Sequence, residues 1–294
     1  MKKLSKILAV VLALALTAGL SVSLTVAYLS DTDEQVNTMT LGNVYIDQLE
    51  YERVQDANGD FVMGEDGVDF DADYGINASY KLQEFTQDKP AYPAVYNGDG
   101  TGTESWADQQ QLWNGIESQE GIGAPGSNDI FGDDVANVID KFVFVENTGA
   151  NELYFRTLVA VEAPASIDYE NLIHVNLSSN NRYQWTSSQP DGMTMGVTEI
   201  NGVNYIIFEA VHTEPLQPGN ISRPSFLQAY LDPAATNDDC AAFGDKWEIL
   251  TISQAVQTAG FDNAQVALDA AFGDVTLDSA ADLFEDLLAR QTNP

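Results

Sequence analysis

The sequence predicts a mainly β protein: a jelly-roll-like antiparallel β-sandwich with a surface insertion and short C-terminal helices. Three observations carry that reading. From residue 138 onward, short runs of Val, Ile, Phe and Tyr recur between turns of Asn, Gly, Asp and Pro, the pattern of a sandwich rather than of alternating strands and helices. The single cysteine, Cys240, allows no intramolecular disulfide, so a hydrophobic core has to hold the fold, and 294 residues suffice to bury one. Only residues 253–290 change to helical spacing.

Taken in order, residues 1–27 read as an export signal. Lys2, Lys3 and Lys6 precede an apolar run from Ile7 to Leu20, and Thr25-Val26-Ala27 supplies a small-residue site with cleavage between Ala27 and Tyr28. The competing reading is an uncleaved anchor, since the apolar run approaches bilayer length if it extends to Leu29. The acidic Asp31, Asp33 and Glu34 beyond it favour cleavage. Residues 28–294 then form one domain, with an insertion at about 96–134 and a helical tail at about 253–290.

Residues 40–51 predict one strand with an irregularity near Gln48. Residues 56–73 contain Asn58-Gly59 and Asp66-Gly67, the usual hairpin-turn pairs. The stretch has some calcium-loop character but lacks the full spacing and terminal Glu, so turns are the adopted reading. Residues 80–85 predict a strand, and Pro90 and Pro93 interrupt the next segment. The Gly- and Asn-rich insertion holds a short helix at 105–113 with Trp106 and Trp113, which either pin it to its own domain or stack on a glycan or partner. Strands at 139–149 and 152–161 flank a polar turn, and direct pairing or a crossing between sheets are both open. Further strands fall at 174–177, 182–186, 225–231 and 247–252, with a hairpin of 196–200 and 203–210 about Asn201-Gly202. Residues 253–272 and 279–290 are read as helices, the first divided at Gly260.

The net charge of −33 argues against nucleic acid and anionic lipid as partners, because phosphate recognition needs a basic surface. Such a chain repels itself at low salt. No His-Glu-x-x-His, nucleophile elbow or phosphate-cradling loop is present, so neither catalysis nor a cofactor is expected. His174, His212 and Glu214 are the weak metal candidates, with structural histidine the adopted reading. Cys240 reads as a half-buried small residue.

Two blocks carry a resemblance. Ala27-Tyr28-Leu29-Ser30-Asp31-Thr32-Asp33, followed by Asn37-Thr38-Met39-Thr40-Leu41-Gly42-Asn43-Val44, resembles the signal and mature N-terminus of the TasA/camelysin family, SipW-dependent secreted proteins of Gram-positive bacteria. Met39 stands where Phe is more usual. Lys141, Val145, Asn147, Thr148, Gly149, Tyr154 and Arg156 fill a second family motif, and residues 253–261 with 267–273 resemble the end of clostridial members. Residues 56–134 depart from it. The resemblance implies a secreted structural protein of cell-surface fibres or biofilm matrix. Its partners would be itself, related matrix proteins and, during export, signal peptidase, with membrane contact only before cleavage. Assembly would proceed by N-terminal strand donation, with Leu41, Val44 and Ile46 supplying side chains. The alternatives are a camelysin-like metal-dependent endopeptidase and a monomeric adhesin acting through Trp106 and Trp113.

Overall fold

The computed structural model describes residues 38–41, 44–62, 80–86, 88–97, 131, 135–177, 183–189 and 193–292. The strands are β1 (Thr38–Leu41), β2 (Ile46–Arg53), β3 (Leu82–Glu84), β4 (Val95–Tyr96), β5 (Val135–Ala136), β6 (Ile139–Asp140) and β7 (Phe142–Asn147). After them come β8 (Leu153–Glu162), β9 (Ile173–Leu177), β10 (Tyr183–Thr186), β11 (Thr194–Ile200), β12 (Val203–His212), β13 (Phe226–Leu231) and β14 (Ile249–Gln257). The helices are α1 (Tyr169–Leu172), α2 (Asn237–Ala241), α3 (Ala264–Phe272) and α4 (Leu277–Thr292).

One sheet runs β1-β14-β8-β12, with β10 and β11 sharing the far edge of β12. The other combines β3-β2-β7 with β6-β13-β9. Lys141 N donates to Leu227 O and Ser225 N to Val143 O, both at 2.9 Å, so β13 continues alongside β7 and the two pieces act as one layer. The chain alternates between the layers: β7 to β8, β8 to β9, β9 to β10, β12 to β13 and β13 to β14 each cross. The turn after β7 is therefore a sheet crossing, the question left open by the sequence. Every strand pair in the two layers is antiparallel except β1 with β14.

Val143, Phe226 and Leu231 of the second sheet meet Val159, Phe208 and Ile249 of the first in the main core. A second cluster joins Val44, Ile46 and Val145 to Leu153, Phe155 and Ala255. The outer face of the first sheet is apolar as well, because α4 packs Ala280, Phe284 and Leu287 on Leu158, Ile207 and Ile252. Beside it, α3 packs Ala267 and Leu268 on Tyr154, Val211 and Val256. Burial on both faces explains why β8 and β12 read as near-continuous apolar runs.

The turns obey their residues. Asn201 and Gly202 both have positive φ, 50° and 85°, as the tight hairpin predicted between β11 and β12 requires. Residues 56–60 form a turn in which Asp56 Oδ1 accepts from the amides of Asn58 and Asp60 at 2.7 and 3.2 Å. The base of the insertion is closed by β4 pairing β5; Trp106, Trp113, the helix expected at 105–113, and Ala27 and Tyr28 lie outside the described residues.

Two sequence expectations are corrected. Residues 253–257 continue β14 instead of starting a helix, and the helix begins at Ala264, where Asn263 Oδ1 accepts from Val266 N at 3.0 Å. Ser253 and Gln254 made the stretch look like a helix surface, yet both are buried in the sheet with polar partners. The strand expected over 40–51 is two strands in different sheets, and Gln48 lies in regular register with Val145, so the break falls before Ile46.

Acidic groups close the end of the first sheet away from β1. Burial raises the Glu162 carboxyl above its ordinary value of 4.5, and the hydrogen bond from the Glu248 amide offsets this only in part. Its contribution to stability is full below that ordinary value and is lost as pH rises through the raised folded value. Glu162→Gln is expected to raise the melting temperature at about pH 7 and leave it unchanged at about pH 4, as circular dichroism melts at both values will show; equal effects at the two would contradict the assignment.

Candidate functional site

The feature that sets this sandwich apart is the edge of β14. Along the side of β14 away from β8, β1 pairs in parallel, with Thr38, Met39, Thr40 and Leu41 opposite Ser253, Gln254, Ala255 and Val256. No described strand pairs with residues 249–252 on that side. Among the described residues, the N-terminal segment thus covers residues 253–256 of this edge, and an uncovered edge is a template for another strand.

From β1 the chain passes to the second sheet through a held corner. The amides of Thr148 and Gly149 donate to Tyr45 O at 3.1 and 3.2 Å. Buried Asn147 completes the corner: its Nδ2 donates to Asn151 O and Leu216 O, each at 2.9 Å, and its Oδ1 accepts from Gly149 N at 3.0 Å. A Cβ on Gly149 would stand 3.0 Å from Tyr45 N and 3.2 Å from Asn147 Oδ1. Asn147-Thr148-Gly149 is therefore a clamp on the exit of the N-terminal segment. Val44 and Ile46, just beyond it, are packed in this chain's own core at 1% and 5% exposure. Leu41 sits on β1 opposite Val256; Asn37, Gly42 and Asn43 lie outside the described residues.

Just inside the open edge, polar groups cross the sandwich. The Lys141 ammonium pairs with Glu50 and lies 4.0 Å over the Phe85 ring. Glu50 also accepts from the Thr251 hydroxyl and from Gln48 Nε2, the latter at 2.8 Å. Gln48 Nε2 donates to Thr251 Oγ1 at 2.9 Å, and its Oε1 accepts from Ser253 Oγ at 2.7 Å, which lies 3.2 Å from Thr157 Oγ1. Burial alone would raise the Glu50 carboxyl, but Lys141 and these donors hold it below the usual carboxylate range. Sequence reasoning passed over Gln48, Glu50, Thr251 and Ser253. The signal was parity: the first two alternate in phase with Val44 and Ile46, the others with Ile249 and Ala255.

Arg156, 1% exposed, works on the opposite face of the first sheet. Its Nε donates to Gln254 Oε1 at 2.7 Å, Nη1 to Glu209 at 3.2 Å and Asp269 at 3.4 Å, and Nη2 to Gly273 O at 3.0 Å. Burial lowers its pKa and raises that of Glu209, each opposed by their mutual attraction. The motif arginine latches α3 and its C-terminus to the sheet.

The two histidines are not brought together, since His174 is on β9 and His212 on β12, strands of different sheets. His174 Nε2 lies 3.2 Å from Asp232 Oδ2. His212 stacks on Phe155 with centroids 4.7 Å apart and donates from Nδ1 to the Glu214 carbonyl at 2.7 Å. Among the described residues no group of three or more His, Cys, Asp or Glu is placed to hold a metal. Cys240 is half-buried on α2, and burial with neighbouring Asp239 raises its thiol pKa.

A cleft of about 410 Å³ opens at the other end of β2, between the 55–61 turn and the stems of the insertion. There, buried Arg53 is bidentate to Asp140, Nε to Oδ2 at 2.6 Å and Nη2 to Oδ1 at 2.8 Å. Its Nη1 is buried without a hydrogen-bond partner, a state that costs about 1–3 kcal/mol.

Substitution tests both the polar crossing and the corner. Lys141→Ala and Glu50→Ala each strand a buried charge and are expected to cost about 3–5 kcal/mol, with the double variant costing less than their sum in urea titrations. Gly149→Ala is expected to cost about 1–3 kcal/mol by crowding the Tyr45 backbone; an unchanged urea midpoint would contradict the clamp. Comparison with protein-family models, with curated proteins and with solved structures gives no match to this chain.

Proposed function

We propose that the chain is a secreted, non-enzymatic subunit of cell-surface fibres or extracellular matrix that assembles by giving its N-terminal strand to the next copy. The observation that carries the reading is the parallel addition of β1 to the β14 edge. A four-residue strand held at an edge makes main-chain bonds that an equivalent strand from another copy makes equally well. Residues 249–252, which no described strand pairs on that side, would give an incoming strand further groups to pair with. Donation from each copy to the next does not close on itself, so it yields filaments rather than rings.

The motif resemblance at both ends of the proposed donor supports this, as does an export signal that would leave Tyr28 as the new N-terminus. Before cleavage the segment is tethered at the membrane; afterwards it is released to exchange. The exchanged part would end before Val44, because Val44 and Ile46 belong to the core of their own chain. Related matrix proteins with a similar edge are the other expected partners.

Electron microscopy and light scattering on the chain starting at Tyr28 test the proposal, at neutral and mildly acidic pH. Filaments are expected, and removal of residues 28–40 is expected to abolish them while the remaining chain stays folded. A mature chain that is monomeric under every condition, or a truncated one that polymerises normally, sinks strand donation.

A further inference from the structure

We propose that the cleft at Arg53 binds a neutral saccharide, an activity independent of the fibre reading. The cleft lies at the base of the insertion, lined from residues 52–61, 89–97 and 135–140. Its volume of about 410 Å³ falls within the range of small-molecule sites, about 300–1,000 Å³. What it admits is decided by its lining.

Three carboxylates, Glu52, Asp60 and Asp140, stand there against two cations, Arg53 and Lys89. Both cations are already engaged, Arg53 with Asp140 and Lys89 Nζ with Glu52 at 2.8 Å. An anion would find no unmatched positive charge in a chain of net charge −33. Nor do the described residues there include a three-ligand cation cluster. A wholly apolar ligand would leave the amides of Asn58 and Asn97 without water.

A sugar ring matches what remains. It has one face of C–H groups and a rim of hydroxyls that both donate and accept. Tyr92, 54% exposed, offers an aromatic face at the cleft wall. Asn58, Asn97 and Asp60 offer the planar amide and carboxylate groups that pair with neighbouring hydroxyls. Below them the Arg53 guanidinium is fixed by Asp140, by the Phe131 carbonyl at 2.7 Å from Nη2, and by the Phe61 ring 3.5 Å from its Cζ. The Arg53 side chain is itself fully buried, so it acts as a rigid floor that holds the shape of the cleft.

Saturation-transfer NMR and calorimetry with cellobiose, maltose, lactose and chitobiose test the assignment, using citrate and inorganic phosphate as anionic controls. At least one disaccharide is expected to bind with Kd on the order of 1 mM. Tyr92→Ala is expected to weaken that binding at least about tenfold with an unchanged melting temperature. Asn58→Ala, which removes a planar amide from the cleft wall, should weaken it too. The assignment is overturned if none of the four binds at about 20 mM, if binding survives Tyr92→Ala, or if the anions bind here instead.

Discussion

Everything at the open edge depends on the polar line from Lys141 through Glu50, Thr251, Gln48 and Ser253 to Thr157. Lys141, Glu50 and Gln48 belong to one sheet, and Thr251, Ser253 and Thr157 to the other. All six are buried, so each polar group there needs a partner inside the sandwich. Hydrogen bonds of fixed partner and length meet that need and tie β2 to β14 in one register. Their cost is desolvation of a charged pair, which a hydrophobic replacement would avoid. The line therefore contributes definition of the edge more than stability. An edge so defined can receive a strand in one register and reject the neighbouring ones, which would flip every side chain to the other face.

The same logic accounts for the cations. Arg53, Lys141 and Arg156 are all buried, each on a carboxylate. In a chain with 12 Lys and Arg against 45 Asp and Glu, burying each of these cations with one carboxylate leaves the whole net charge of −33 outside the core, with fewer cations there to offset it locally. Asp47 faces Glu146 directly across β2 and β7, and burial followed by that repulsion raises the Glu146 carboxyl. Two copies of such a protein repel at range, so any contact between them would have to be short-ranged and insensitive to charge sign. Main-chain pairing along an edge is that kind of interaction.

What the sequence disclosed was governed by parity and contrast. Apolar runs between Asn-Gly turns showed β8, β11, β12 and β13 with boundaries close to those observed, because their partners are apolar and their turns have one favoured chemistry. The second half of β14 was hidden, since Ser253 and Gln254 look solvent-facing until Gln48 and Arg156 are placed against them from opposite sides. The Arg53–Asp140 pair was hidden for a like reason: 87 positions separate the two residues, and each alone looks like an ordinary surface charge. The Asn147-Thr148-Gly149 motif was legible as a turn but not as a clamp. Its task is to hold a carbonyl at Tyr45, and a backbone acceptor leaves no mark in side-chain pattern.

That clamp bears on how strand exchange would be limited. Thr148 and Gly149 hold Tyr45 while Val44 and Ile46 are sunk in the core, so nothing after residue 43 can leave without opening the sandwich. The part able to exchange is the part upstream, and within it β1 makes the same contacts whether its target edge belongs to its own chain or to another. Exchange of β1 alone would then be near-neutral in enthalpy, with effective concentration favouring the intramolecular form and any added pairing on residues 249–252 favouring an intermolecular one. A weak intramolecular pairing would cover the edge against indiscriminate association and still release. Strand exchange would then be decided by subunit concentration and ionic strength, because the two forms would lie close in free energy.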